Sequence, residues 1–220
     1  MPFRDRVDAG RALAHRLLPL GTDDVVVLGL PRGGVPVAAE VAHALGAPLD
    51  VVVVRKLGVP SQPELAMGAI GEDGVCIVND EVAASIRIAP EELAEVEQRE
   101  RAELERRLQR YRAGRPRVPL HGRTAVVVDD GIATGSTARA ACEVVRRLGA
   151  VRVVLAVPVA PASSVAELRS AADDVVCVEM PPYFHAVGQW YDDFSQTTDD
   201  EVTALLQKSR KILRGHLPAR

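Results

Sequence analysis

The reading of this 220-residue chain turns on Val126-Val-Val-Asp-Asp-Gly-Ile-Ala-Thr-Gly-Ser-Thr137. A run of valines suited to a buried strand ends in two adjacent carboxylates. A loop of small residues and hydroxyls follows, and Ala138 to Leu148 then reads as a helix. This order sets backbone N–H groups and hydroxyls at a helix N-terminus, where they and the helix dipole attract a phosphate. The aspartates fall at the carboxyl end of a strand, where open α/β sheets bind their ligands. Four other Asp-Asp doublets (at 23–24, 173–174, 192–193 and 199–200) read as turns or caps, because none joins a buried strand to a Gly/Thr loop. The motif lacks the Gly-Lys-Ser/Thr ending of an ATP-binding loop, which disfavours a nucleotide kinase or phosphatase, and no G-x-G-x-x-G marks a dinucleotide site.

Working outward, strand and helix signals alternate. Arg4 to Leu18 carries a helical apolar stripe, and Val25 to Leu30 is a β-branched run fit for a strand covered on both faces. Pro31-Arg-Gly-Gly34 leads into a helix from Val35 to Leu45, with Gly46 at its stop. Asp50 to Arg55 repeats the buried-strand pattern and ends in Arg55-Lys56. From Leu57 to Gly74 the composition turns to Gly, Pro, Ser and Gln, which predicts a long mobile connection. Val75 to Val78 is a short strand, followed by a helical turn or two. Pro90 opens a charged helix to about Arg112, with a stripe of Leu93, Val96, Leu104, Leu108 and Tyr111 interrupted at Glu100. Strands at 123–128, 150–157 and 175–179, a helix at 163–172, and a C-terminal helix capped by Thr198-Asp-Asp-Glu201 complete the series. The pattern predicts a single α/β domain over 1–220: a Rossmann-like, mostly parallel sheet flanked by helices.

Bulk properties restrict the partners. A net charge of −3 gives no general attraction to nucleic acid, although the Arg-rich stretch from Arg99 to Arg117 keeps a nucleic-acid contact open. No apolar run reaches membrane-spanning length, and the first residues lack a signal-peptide core, so a cytoplasmic location is expected. Three scattered cysteines and five scattered histidines suggest no protein-built metal site.

The quoted stretch resembles the phosphoribosyl pyrophosphate (PRPP) binding motif of the type I phosphoribosyltransferases: four apolar residues, two acids, two apolar or small residues, a variable position and Thr-Gly-x-Thr. The order of the other parts, from about Val25 to Glu179, is similar as well. The resemblance implies a type I phosphoribosyltransferase fold with a variable hood, and transfer of ribose 5-phosphate from PRPP to a nitrogen base with release of pyrophosphate. It implies 5′-phosphate binding by Gly131, Ile132, Ala133, Thr134, Gly135, Ser136 and Thr137. Pyrophosphate binding is assigned to Arg32, Gly33, Gly34, Arg55 and Lys56, with the glycine N–H groups approaching the anion unobstructed by a Cβ. Asp129 and Asp130 are placed at the ribose hydroxyls and at a Mg²⁺ ion, which enters with PRPP and stabilises the departing pyrophosphate. Lys56 and Glu64 complete the catalytic candidates, Glu64 as a proton-handling group on the mobile connection, where a solvated loop charge is an equal reading.

The fifth motif position, an acid in 6-oxopurine members, is Ala133, which disfavours hypoxanthine and guanine as acceptors. Five of the seven aromatic residues fall between Tyr183 and Phe194. Tyr183, Phe184, Trp190 and Tyr191 are therefore acceptor-binding candidates in a hood at about 180–197, with an aromatic staple on the C-terminal helix, or a dimer contact, as the equal alternative. A homodimer is the family expectation. The rival reading on the same fold is a regulatory protein that senses PRPP without turning it over.

Overall fold

The computed structural model describes residues 2–21, 24–59, 62–78 and 88–216, without the side chains of 62–66, 90 and 210–216. Among them, five parallel strands form one sheet in the order β2-β1-β6-β7-β8. These are β1 (Val25–Gly29), β2 (Leu49–Val51), β6 (Thr124–Val128), β7 (Arg152–Val159) and β8 (Asp174–Glu179). Strand β1 is buried at all five residues, as its unbroken apolar run requires. Because side chains alternate along a strand, Val25 and Val27 face one layer and Val26 and Leu28 the other. The first layer holds Leu13 of α1 (Arg6–Leu17), Val37 and Val41 of α2 (Gly34–Leu45) and Val202 of the C-terminal helix, α6 (Asp199–His216). The second holds Ala141 and Val145 of α4 (Ser136–Arg147) and Val165 and Leu168 of α5 (Ala162–Leu168). Fully burying each such side chain is worth about 1.5–3 kcal/mol, so this double-sided packing is the main source of stability.

The chain leaves β1 toward β2 on one side and re-enters at β6 on the other. The crevice outside the carboxyl ends of β1 and β6 is therefore the topological switch point of the sheet.

Two expectations are corrected here. The valine run after Leu49 leaves the sheet at Val51, and Arg55 opens a different strand, β3 (Arg55–Val59). The stretch predicted to be a long mobile connection at 57–74 is mostly strand: β3 pairs antiparallel with β4 (Gln62–Ile70), and β4 with β5 (Cys76–Val78). Leu57, Val59, Met67 and Ile70 are buried and join the first core layer, so apolar spacing outweighed the Gly, Pro and Ser content. The helical turn expected after Val78 falls at 79–87, outside the described residues.

The charged helix is α3 (Pro90–Arg112), with Val96, Leu104 and Tyr111 buried. Its C-terminal end is fastened by a buried ion triad. Arg112 donates to Asp50 at 3.1 Å, to Glu72 at 2.5 and 3.0 Å, and to the Val51 carbonyl at 3.0 Å. Helix α6 starts at the expected cap: Thr198 N–H donates to Glu201 at 2.6 Å, and Glu201 N–H returns to the Thr198 hydroxyl at 3.2 Å. No described helix is long and apolar enough to cross a membrane.

Candidate active site

The loop after β1 and the loop after β6 meet at the switch point. Leu30 N–H donates to the Val128 carbonyl at 2.8 Å, which zips the two strand ends together. A Cβ on Gly34 would lie 2.6 Å from the Val128 carbonyl oxygen, and one on Gly33 only 2.0 Å from Asp130 Oδ2. The glycines thus make room for the acidic pair itself. The Gly34 N–H, expected to face an anion, donates to the Leu30 carbonyl at 3.0 Å, because it already belongs to the first turn of α2. The Gly33 N–H makes no backbone–backbone hydrogen bond among the described residues.

Beyond the aspartates, the loop divides into anchors and exposed positions. Ile132 is buried, and its N–H donates to the Val159 carbonyl at 2.9 Å, so its side chain fixes the loop from beneath. Gly131 lies against the hood: a Cβ there would meet Val187 at 2.4 Å. The Ala133 carbonyl accepts from the Ser164 hydroxyl at 2.6 Å. Ala133, Thr134 and Thr137 are exposed, with the Thr134 and Ser136 hydroxyls 3.3 Å apart. Gly135 supplies the left-handed turn (φ 76°) into α4 and, having no side chain, cannot cap it. The first N–H groups of a twelve-residue helix therefore open on these hydroxyls without a capping acceptor.

The acidic pair is crowded. Asp129 accepts the Asp130 N–H at 2.9 Å. Burial, and next the charge of Asp130, push the Asp129 carboxyl well above the ordinary aspartate range. Burial raises Asp130 too, and the Arg6 guanidinium works against that rise. Arg6 comes from the first turn of α1: its Nε donates to Asp130 Oδ2 at 2.8 Å, its NH1 donates to the Ser195 carbonyl at 2.7 Å, and its guanidinium carbon lies 4.1 Å over the Phe194 ring. Sequence reasoning missed Arg6 entirely; only its place in the first turn of an amphipathic helix was legible.

The other candidates scatter more than expected. Arg55 does not stand free for pyrophosphate. It donates to Glu100 of α3 at 2.9 and 2.6 Å, and this pair explains the polar gap in that helix's apolar stripe. Lys56, next to it, is exposed. Arg32 is half-exposed and leans toward Asp199, 3.9 Å away, a carboxylate already engaged by Tyr111 at 2.7 Å and Arg110 at 2.9 Å. Glu64 lies on β4, and its side chain is outside the described residues. A cleft of about 450 Å³ separates β4 and β5 (Gly68, Ile77) from the loop after β6 and α4 (Thr134, Ser136, Arg139).

Of the hood aromatics, Tyr191 is buried with Phe3, Ala9 and Val159, and Phe184 and Trp190 pack against the same cluster. Phe3 N–H donates to the Trp190 carbonyl at 2.8 Å, and the Phe3 and Tyr191 ring centroids are 5.6 Å apart. The staple expected at the C-terminal helix thus fastens the N-terminal segment instead. The Tyr191 hydroxyl donates to the Asp130 carbonyl, which ties the hood to the acidic pair. Tyr183 is 84 % exposed.

A family model described as a phosphoribosyl transferase domain matches residues 5–194. The chain belongs to the phosphoribosyl transferase domain family. It is 59 % identical over 209 residues to two Mycobacterium tuberculosis proteins, from strains H37Rv and CDC 1551, whose names propose a phosphoribosyl transferase. That match takes in 95 % of this chain and 47 % of each relative, so the chain spans about half the length of the curated relatives it matches. The crystal structure of TT1426 from Thermus thermophilus superposes with a TM-score of 0.85 at 48 % identity, covering 94 % of this chain and 99 % of that one. AQ2163 of Aquifex aeolicus shares the fold alone, with a TM-score of 0.50 at 10 % identity over 83 % of this chain and 78 % of that one. The family match begins at the N-cap of α1 and ends at Phe194, so it takes in both Arg6 and most of the hood.

Proposed function

We propose that this phosphoribosyl transferase domain binds PRPP across the β1–β6 crevice and transfers its ribose 5-phosphate to a nitrogen base, releasing pyrophosphate. The observation that carries the reading is the contact of Gly33 and Gly34 with Asp129 and Asp130, beside the uncapped N-terminus of α4. PRPP bears a 5′-phosphate and a pyrophosphate on one ribose, so it needs an anion cradle at each end and hydroxyl acceptors between. The N–H groups and hydroxyls of Ser136 and Thr137 suit the 5′-phosphate, Asp129 and Asp130 accept from the ribose hydroxyls, and the Gly33 N–H, Arg32 and Lys56 border the pyrophosphate. Ala133 provides no acid to handle a base proton, which turns the reading away from 6-oxopurine acceptors.

The fit to Mg²⁺ follows from the donor set. Among the described residues no group of three or more His, Cys, Asp or Glu side chains builds a metal cage, while two adjacent carboxylates stand in the crevice. Mg²⁺ is commonly held by one or two carboxylates together with substrate phosphates, and Asp129 and Asp130 would hold it here. When bound, it supplies charge stabilisation to the leaving pyrophosphate. The chain's own residues hold and orient the donor, and no protein nucleophile is required.

The test is calorimetric titration with PRPP and Mg²⁺, then pyrophosphate release across a panel of nitrogen bases. Binding that needs the metal, with release dependent on one class of base and cut at least about a hundredfold in Asp130→Asn, supports transfer. Tight binding with no release across the panel assigns the chain to PRPP sensing, and no binding refutes both.

A further inference from the structure

The Arg6–Asp130 pair is built into the crevice at 2.8 Å, and the fold invests three elements in it. Helix α1 supplies the arginine, the loop after β6 the carboxylate, and the last part of the hood the stacking ring of Phe194 and the Ser195 carbonyl. Both side chains are largely shielded, at 11 % and 14 % exposure. Gly33 packs against the same carboxylate oxygen that Arg6 holds: a Cβ there would lie 2.0 Å from Asp130 Oδ2 and 3.2 Å from Arg6 Nε. Oδ2 is thus enclosed by the Gly33 backbone and the guanidinium together, which holds the carboxylate in one orientation. A charged Asp130 would also repel a polyanion approaching the crevice, and a fixed guanidinium offsets that charge.

We propose that Arg6 is a positioning residue for the donor: it fixes the Asp130 carboxylate toward the ribose site and cancels its charge, so that a polyanionic sugar phosphate is admitted beside two acids. The inference rests on the PRPP reading above. Arg6 touches no reacting atom and acts through Asp130, aided by the Tyr191 hydroxyl on the Asp130 carbonyl.

The experiment is a double-mutant cycle on the intact chain with Arg6→Gln, Asp130→Asn and both together. PRPP with Mg²⁺ and inorganic phosphate alone are titrated separately, with thermal unfolding recorded for every variant. Arg6→Gln is expected to weaken PRPP binding at least about tenfold, as for loss of one partner of a shielded charge pair. It leaves inorganic phosphate, which probes the α4 cradle, within twofold. In the Asp130→Asn background the same change alters PRPP affinity less than twofold, because its target is gone. Arg6→Lys keeps the charge without the planar fork and recovers part of the loss. Where Arg6→Gln does not fold, Arg6→Lys with and without Asp130→Asn carries the test, through a loss of at least threefold that vanishes in the double variant. Unchanged PRPP affinity, an equal loss for inorganic phosphate, or additive effects with Asp130→Asn would overturn the assignment. Failure of the unaltered chain to bind PRPP instead overturns the donor reading on which it stands.

Discussion

Replacing Arg112 by Met removes the cation of the only ion triad that is fully buried among the described residues. Asp50 is 0 % and Glu72 3 % exposed, so neither recovers water when the guanidinium goes. Asp50 keeps the Val51 and Val118 N–H donors at 2.8 and 2.9 Å, whereas Glu72 loses both bonds from Arg112. Breaking such an arrangement from one side costs about 3–5 kcal/mol, a large share of the roughly 5–15 kcal/mol that holds a domain folded. At about 2–4 °C per kcal/mol for a chain of this size, Tm should fall by roughly 6–20 °C. The sign of the pH dependence is also fixed. Burial raises the Glu72 carboxyl above its usual value of 4.5, and Arg112 works against that rise. A raised acid contributes stability that is fully present below its unfolded pKa and lost as pH rises through the folded one. Without Arg112 the carboxyl rises further, so the deficit of the variant should be greatest near pH 7 and shrink as pH falls toward 4.5. Urea unfolding at both pH values reads this directly, and Arg112→Met with Glu72→Gln should regain part of the loss. A deficit under about 1 kcal/mol at pH 7, or one that grows in acid, would refute the reasoning.

Two further outcomes follow from single contacts. Gly33 has φ −61°, open to any residue, so Gly33→Ala acts by volume alone: its Cβ displaces the Asp130 carboxylate, costs about 1–3 kcal/mol, and should abolish calorimetric PRPP binding while the circular dichroism spectrum stays that of the folded chain. Asp173 accepts the Val153 N–H at 2.7 Å and Arg146 at 3.0 Å, contacts that hold its carboxyl below the ordinary 3.8, the backbone bond most of all. Its contribution is present above the unfolded pKa and lost as pH falls through the folded one. Solvent at this exposed pair limits it, so Asp173→Ala should lose about 0.5–1 kcal/mol at pH 7 by urea unfolding and match the parent near pH 2.

What the sequence disclosed follows the range of the interactions. The parallel strands were legible because Val25–Leu30 and Val126–Val128 are apolar without interruption, and helix α3 because Pro90 and the Glu–Arg spacing mark it locally. The Asp129–Thr137 loop is a contiguous word, so its place at a strand end before a helix was readable. Strand β5 was read as a short strand at 75–78, but β3 and β4 were hidden because their turn-forming residues masked the alternation of Leu57 with Val59 and of Met67 with Ala69. Arg55 was read as facing a ligand because its partner, Glu100, lies 45 residues away on another element. The glycines were singled out for close approach to pyrophosphate; in the fold Gly33 makes room for Asp130 and Gly34 for the Val128–Asp129 backbone of the same chain.

The ion pair at the crevice also sets a timetable. Arg6 precedes Asp130 by 124 residues and Ser195 by 189. At a synthesis rate of about 5–20 residues per second, its last anchor leaves the ribosome roughly 10–40 s after Arg6 itself. Only the last 65 residues of that span, about 3–13 s, follow Asp130. Strands β1, β2 and β6 are made by then, while Asp130 still lacks the Phe194 ring that stacks on Arg6 and the Tyr191 hydroxyl. The two strands that border the crevice are thus made before its fastenings, and the crevice is complete only when the two distant ends of the domain are brought together.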